Sequence, residues 1–140
     1  MDSNIKREII LDNYQEPYNK GLVDDKNYVL TNTSSESCID NLDFQMKIDN
    51  NKIVDIRFDG EACAISTSAS SILIKMLIGM SVDDAKKLLM NYKNMIDEKE
   101  YDKELLGELN VYDEIYKQPN RKNCALLPVV AVDKLLNELK

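Results

Sequence analysis

The chain reads as an α+β protein, a small antiparallel sheet of about three strands packed against several helices. Three observations predict it. Two runs between residues 42 and 58 alternate apolar and polar residues around a short Asn-rich break, and after residue 64 the apolar period lengthens to that of a helix. The 140 residues, 44% hydrophobic and 31% charged, are enough for one core without disulfide help, so residues 1–140 are expected to form a single domain.

Taking the elements in order, Ile5, Ile9, Ile10, Asn13 and Tyr14 recur at helical spacing and predict a short N-terminal helix, ended by the turn around Pro17 and Gly21 in "YQEPYNKG". Residues 28–32 read as extended. Leu42, Phe44, Met46 and Ile48 then alternate with Asp43, Gln45 and Lys47, the pattern of a half-buried strand. Its partner sets Val54, Ile56 and Phe58 against Asp55 and Arg57, and Asn50 and Asn51 between the runs tolerate the positive φ of a tight hairpin.

From Ile65 the stretch "ISTSASSILIKMLIGM" is rich in small residues and then apolar at i, i+3 and i+4, a buried helix ending near Gly79. Ser81, followed by Asp84, resembles a capping box, and Val82, Ala85, Leu88, Leu89 and Tyr92 make the apolar face of the next helix. Another helix begins near Leu105, after a solvated connection over residues 97–104. An apolar-periodic run closes the chain; Pro128 is tolerable there if it falls in the first turn, which would put Cys124 at a helix start too. The methionines are expected in the core.

Composition excludes several classes. A net charge of −7 opposes a phosphate backbone, so nucleic acid is not an expected partner. "MDSNIKREIILDNYQ" mixes charges and does not read as a signal peptide; the longest apolar stretch, residues 72–80, is interrupted by Lys75 and Gly79 and is too short to cross a bilayer, so no membrane is expected and the cytoplasm is the expected location. With no histidine, the chain holds no Ser-His or Cys-His pair of its own.

Three cysteines, Cys38, Cys63 and Cys124, cannot all pair internally and have no Cys-x-x-Cys spacing. Each could be a small buried hydrophobe, and Asp40 a solvated loop carboxylate or a cap. Their context favours chemistry. Cys38 precedes the hairpin and Cys63 follows it, and an antiparallel hairpin returns its ends to one side, so the two thiols can meet. If the last helix packs its start there, Cys124 joins them, and three sulfurs with the Asp40 oxygen suit a tetrahedral zinc ion.

At these residues the sequence resembles the NifU-N/IscU-like proteins of iron–sulfur cluster assembly, and within them the SufU branch. "YQEPYNKG" is similar to the family's Tyr-x-x-Pro-x-Asn-x-Gly at Tyr14, Pro17, Asn19 and Gly21. "SCID" stands at the family's Cys-Gly-Asp, "FDGEACAIS" at its Gly-x-Gly-Cys-x-Ile-Ser loop, and "RKNC" at the Arg-x-x-Cys of the SufU branch. The resemblance covers nearly the whole chain. It implies a SufU/IscU-like fold and a zinc ion held by Cys38, Asp40, Cys63 and Cys124, with Arg121 as a neighbouring or partner-binding group.

It further implies a zinc-dependent sulfurtransferase in which Cys38 accepts persulfide sulfur from a SufS-like, pyridoxal-phosphate-dependent cysteine desulfurase. A histidine of that partner would take over a zinc position, and the sulfur would pass to downstream iron–sulfur assembly proteins. Scaffold members generally carry a histidine before the third cysteine; Asn123 stands there, and the long Cys63–Cys124 interval, with an additional segment around residues 97–111, is also the SufU pattern. A scaffold for a transient iron–sulfur cluster is the alternative, and a zinc-stabilised docking module without sulfur transfer is an alternative of another class. Two departures stand out: Ile39 and Ala62 replace family glycines.

Overall fold

The computed structural model describes residues 1–33 and 41–138. Helix α1 (Ser3–Gln15) starts where Asp2 accepts the Ile5 N–H at 2.9 Å, and a three-stranded antiparallel sheet follows: β1 (Val29–Asn32), β2 (Asn41–Asp49) and β3 (Lys52–Glu61), in that order. Then come α2 (Ala64–Leu77), α3 (Val82–Ile96), the one-turn α4 (Lys103–Leu106), two 3-10 turns (Gly107–Tyr112 and Ile115–Lys117) and α5 (Pro119–Glu138). The α+β reading holds.

The β2–β3 hairpin turns at Asn50 and Asn51 with φ of 53° and 62°, as its asparagines predict. The register corrects one expectation. Lys47 pairs with Asp55 but Ile48 pairs with Ile53, so Val54 is an extra residue on β3. Beyond a bulge the alternation changes phase, which leaves Val54 exposed and Ile53 buried. The inner face of the sheet carries Leu42, Phe44, Met46, Ile56 and Phe58, all fully buried, with the two Phe rings stacked at 5.7 Å.

Gln45 departs from the half-buried pattern in another way, being only 5% exposed. The segment before β1 crosses the outer face and clamps it: Gln45 Oε1 accepts the Val23 N–H at 2.6 Å and its Nε2 donates to the Val23 carbonyl at 3.1 Å. The "YNKG" residues run along the outer edge of β3. Gly21 N–H donates to the Phe58 carbonyl, Phe58 N–H to the Asn19 carbonyl, and Asn19 Nδ2 to the Ile56 carbonyl at 3.0 Å. They thereby cover a strand edge that would otherwise present unpaired groups.

Helix α2 is the centre of the molecule, buried from Ser66 to Ile74 and at Leu77, with α1 and α5 packed against it and α3 packed on α5. Its serines are matched one by one. Ser70 donates to the Ser66 carbonyl, Ser71 to Asn13 Oδ1 at 2.7 Å, and Ser68 meets the Tyr112 hydroxyl at 2.5 Å. The apolar face of α3 is as predicted, with Val82, Ala85, Leu88, Leu89 and Tyr92 buried, and Ser81 Oγ accepts the Asp84 N–H at 3.1 Å. Met90, by contrast, is exposed at 62% rather than in the core.

The last helix requires the largest correction. It begins at Pro119, a residue well suited to a helix start, so Cys124 lies in the second turn rather than at the start, and Pro128 lies in the interior rather than in the first turn. An interior proline removes an intrahelical donor and normally costs about 3 kcal/mol. How this chain accommodates it bears on the site.

Candidate metal centre

Glu61, the last residue of β3, pairs with Asn41, the first of β2, so the hairpin's open end lies at the sheet edge from which the chain enters α2. Cys63 makes that entry. It is the N-cap of α2, with extended backbone (φ −68°, ψ 169°); its Sγ accepts the Ser66 N–H at 3.5 Å and its carbonyl accepts the Thr67 N–H at 3.0 Å. The start of a helix presents N–H groups that lack helical partners, and here a sulfur takes one of them.

Cys38 and Asp40 lie outside the described residues. The residues flanking their segment are hydrogen-bonded to each other: Thr33 N–H donates to the Leu42 carbonyl at 2.8 Å, and Leu42 N–H donates to Thr33 Oγ1 at 3.3 Å. The two described flanks, Thr33 and Leu42, therefore meet at the hairpin end that leads to Cys63.

Cys124 is 4% exposed, and its backbone reaches the same neighbourhood through one side chain. Ser66 Oγ donates to the Cys124 carbonyl at 3.0 Å, and the same oxygen lies 3.6 Å from Cys63 Sγ. Two of the four expected ligand residues are thus brought together at Ser66. Among the described residues no group of three His, Cys, Asp or Glu side chains converges. Cysteine sulfurs are the soft donors that zinc selects, so the described half of the ligand set fits such an ion.

Arg121 is exposed in the first turn of α5, one helical turn before Cys124 and so on a neighbouring part of the helix surface. Two further groups near the cysteines have no counterpart in the sequence reading. Ser68 and Tyr112 form a buried pair, and burial pushes the Tyr112 phenol well up, the Ser68 hydrogen bond opposing and the charge of Cys63 adding to the effect. The only signal for Ser66 and Ser68 was the density of small hydroxyl residues in "ISTSASS", unusual for a helix buried on most sides. A cleft of 560 Å³ opens beside the first turn of α2, lined by Lys6, Arg7, Ile10, Ile65, Tyr112 and Lys117; neither Cys63 nor Cys124 lines it.

Residues 5–125 match the family described as NifU-like N terminal domain. The chain belongs to that family. Among its relatives, the Bacillus subtilis zinc-dependent sulfurtransferase SufU is 30% identical over 129 residues, covering 91% of this chain and 86% of that protein. The Streptococcus pyogenes iron-sulfur cluster assembly scaffold protein IscU is 31% identical over 120 residues, covering 85% and 74%. The crystal structure of FiSufU, from the SUF system of Fervidobacterium islandicum AW-1, superimposes with a TM-score of 0.81 at 28% identity, covering 92% of this chain and 94% of that one. A NifU-like N-terminal structure from Brucella abortus shares the fold at TM-score 0.85 and 15% identity.

Within this NifU-type fold the altered glycine loop is easily read. Gly60 keeps the left-handed backbone, φ 130°, whereas Ala62 is not among the residues of positive φ, so alanine there carries no backbone strain. Ile39, the other replaced glycine, lies outside the described residues. None of the described helices is long and apolar enough to cross a membrane.

Proposed function

We propose that this NifU-type protein is a zinc-dependent sulfur acceptor that takes persulfide sulfur from a cysteine desulfurase and passes it into iron–sulfur cluster assembly. The observation that carries the reading is the meeting of Cys63 and Cys124 at Ser66, at the end of the hairpin where the segment of Cys38 and Asp40 departs. The similarity to the Bacillus subtilis sulfurtransferase supports it. Cys38, Asp40, Cys63 and Cys124 are the residues that would hold the ion, and zinc, when bound, would supply the positive charge that keeps thiols deprotonated near neutral pH.

Cys38 is the sulfur acceptor in this reading. Its thiolate attacks the outer sulfur of the desulfurase persulfide; a new S–S bond forms on Cys38, the partner's S–S bond breaks, and the partner's cysteine leaves as a thiolate. The exchange transfers one sulfur at its existing oxidation level and needs no external oxidant. Because the chain has no histidine, any imidazole in the step must come from the partner.

Sulfur release by a PLP-dependent cysteine desulfurase, measured with and without the protein, tests the reading. Wild-type protein is expected to stimulate turnover and Cys38→Ala to abolish the stimulation, with the transferred sulfur found on Cys38 by mass spectrometry; full stimulation by the variant would overturn it. The similarity to the Streptococcus pyogenes scaffold favours a second reading, a transient cluster on the same residues. Visible absorption after anaerobic reconstitution with iron and sulfide, in place of stimulation, would select it.

A further inference from the structure

Pro128 has no amide hydrogen, so the carbonyl four residues earlier, that of Cys124, cannot receive its usual intrahelical bond. A buried carbonyl left without a donor is costly. This one is supplied from another helix: the Ser66 hydroxyl, fully buried in the first turn of α2, donates to it at 3.0 Å. The next carbonyl, that of Ala125, accepts the Tyr92 hydroxyl of α3 at 2.9 Å. Two neighbouring helices thus place hydroxyl donors against α5 in the turn that precedes the proline.

Ser66 also touches Cys63. Its N–H donates to Cys63 Sγ at 3.5 Å and its Oγ lies 3.6 Å from that sulfur. One residue therefore contacts the sulfur of one candidate ligand and the main chain of another. We propose that Pro128 and Ser66 act as a pair, the proline opening an acceptor at Cys124 and the serine filling it, so that the first turn of α2 and the second turn of α5 are held at a set spacing. Ser66 is then a positioning residue for Cys63 and Cys124. The part of this inference that concerns metal rests on the zinc reading; the part that concerns the pairing does not.

The test is a cycle of four proteins: wild type, Ser66→Ala, Pro128→Ala and the double variant. In reversible unfolding of the zinc-free protein, Ser66→Ala is expected to reduce the folding equilibrium constant about tenfold in the Pro128 background. In the Pro128→Ala background the reduction is expected to be clearly smaller, because the substituted residue brings its own N–H to the Cys124 carbonyl. Equal effects in the two backgrounds would overturn the pairing. Zinc affinity by chelator competition is the second readout. Ser66→Ala is expected to weaken it about tenfold, and Pro128→Ala is expected to restore the stability of the double variant without restoring its zinc affinity, because the link between α2 and α5 stays broken. Zinc affinity that follows stability step for step would overturn the positioning role. Wild-type protein that binds no zinc would sink the zinc reading and the positioning role with it, while the unfolding cycle would still decide the pairing.

Discussion

Gly60 is the residue at which the approach to the candidate site depends most on a missing side chain. At φ 130° it lies opposite Leu42, and a Cβ there would fall onto the Asn41 carbonyl oxygen. Gly60→Ala is therefore expected to cost about 3 kcal/mol, combining backbone strain with a displaced strand end; urea unfolding would measure it, and a loss under about 1 kcal/mol would show that the hairpin end yields more easily than its geometry suggests. A second residue sets a pH dependence. Tyr28 donates to Asp55 Oδ2 at 2.6 Å, and that hydrogen bond, with burial adding to it, pushes the phenol from its ordinary 10.0 up to about 12. The folded state thus holds this proton more tightly than the unfolded chain. The contribution is fully present below pH 10 and is lost as the pH rises towards about 12. Tyr28→Phe should flatten the fall in stability across that window, and an unchanged alkaline slope would refute the assignment.

Among the elements, α3 and α5 show two ways of handling helix termini and breaks. In α3 the side-chain capping is local: Ser81 caps the first turn, Asp83 and Asp84 favour its positive end, and Lys93 lies in its last turn. Ser81→Ala is expected to lower stability by about 1 kcal/mol without disturbing Cys63 or Cys124, readable as a lower melting temperature with unchanged near-ultraviolet circular dichroism. In α5 the break is interior and the remedy is distant, since Ser66 and Cys124 are 58 residues apart in sequence. That contrast explains why α3 was legible from its residues and the course of α5 was not. A local cap can be read within four residues, whereas the donor that tolerates Pro128 belongs to another helix.

Across the whole molecule, the bulk of the core is built from residues outside the candidate site, Cys124 being the one described candidate ligand that is itself buried. Leu42, Phe44, Met46, Ile56, Phe58, Ile72, Leu73 and Leu88 are fully buried, and none is an expected ligand. In the zinc reading, chelation is therefore expected to leave the far-ultraviolet circular dichroism intact and to lower the melting temperature only modestly; unfolding on chelation would instead mark a bound zinc as structural and favour a docking module. Much of the architecture could be read in the chain. The Asn50–Asn51 turn, the β2 alternation, the apolar face of α3 and the approach of Cys63 to a helix start all follow from spacings of two to four residues. For the candidate site, the fold brings Cys63 and Cys124 together, but the residue that joins them was not singled out, because a hydroxyl in a small-residue helix has no distinguishing local pattern.

The sequence by itself determined the strands of the hairpin, the helices α1 to α3, where the hairpin turns and which chemistry-bearing residues stand near its ends, because periodicity, turn propensity and capping act over a few neighbouring residues. Only the tertiary structure decided that Val54 faces solvent, that Gln45 is buried under the preceding segment, and that Pro128 can sit inside a helix. In each case the deciding partner, a bulged register, the Val23 backbone or the Ser66 hydroxyl, comes from another part of the chain, and a buried polar group takes its donor or acceptor from whichever segment the fold brings within reach.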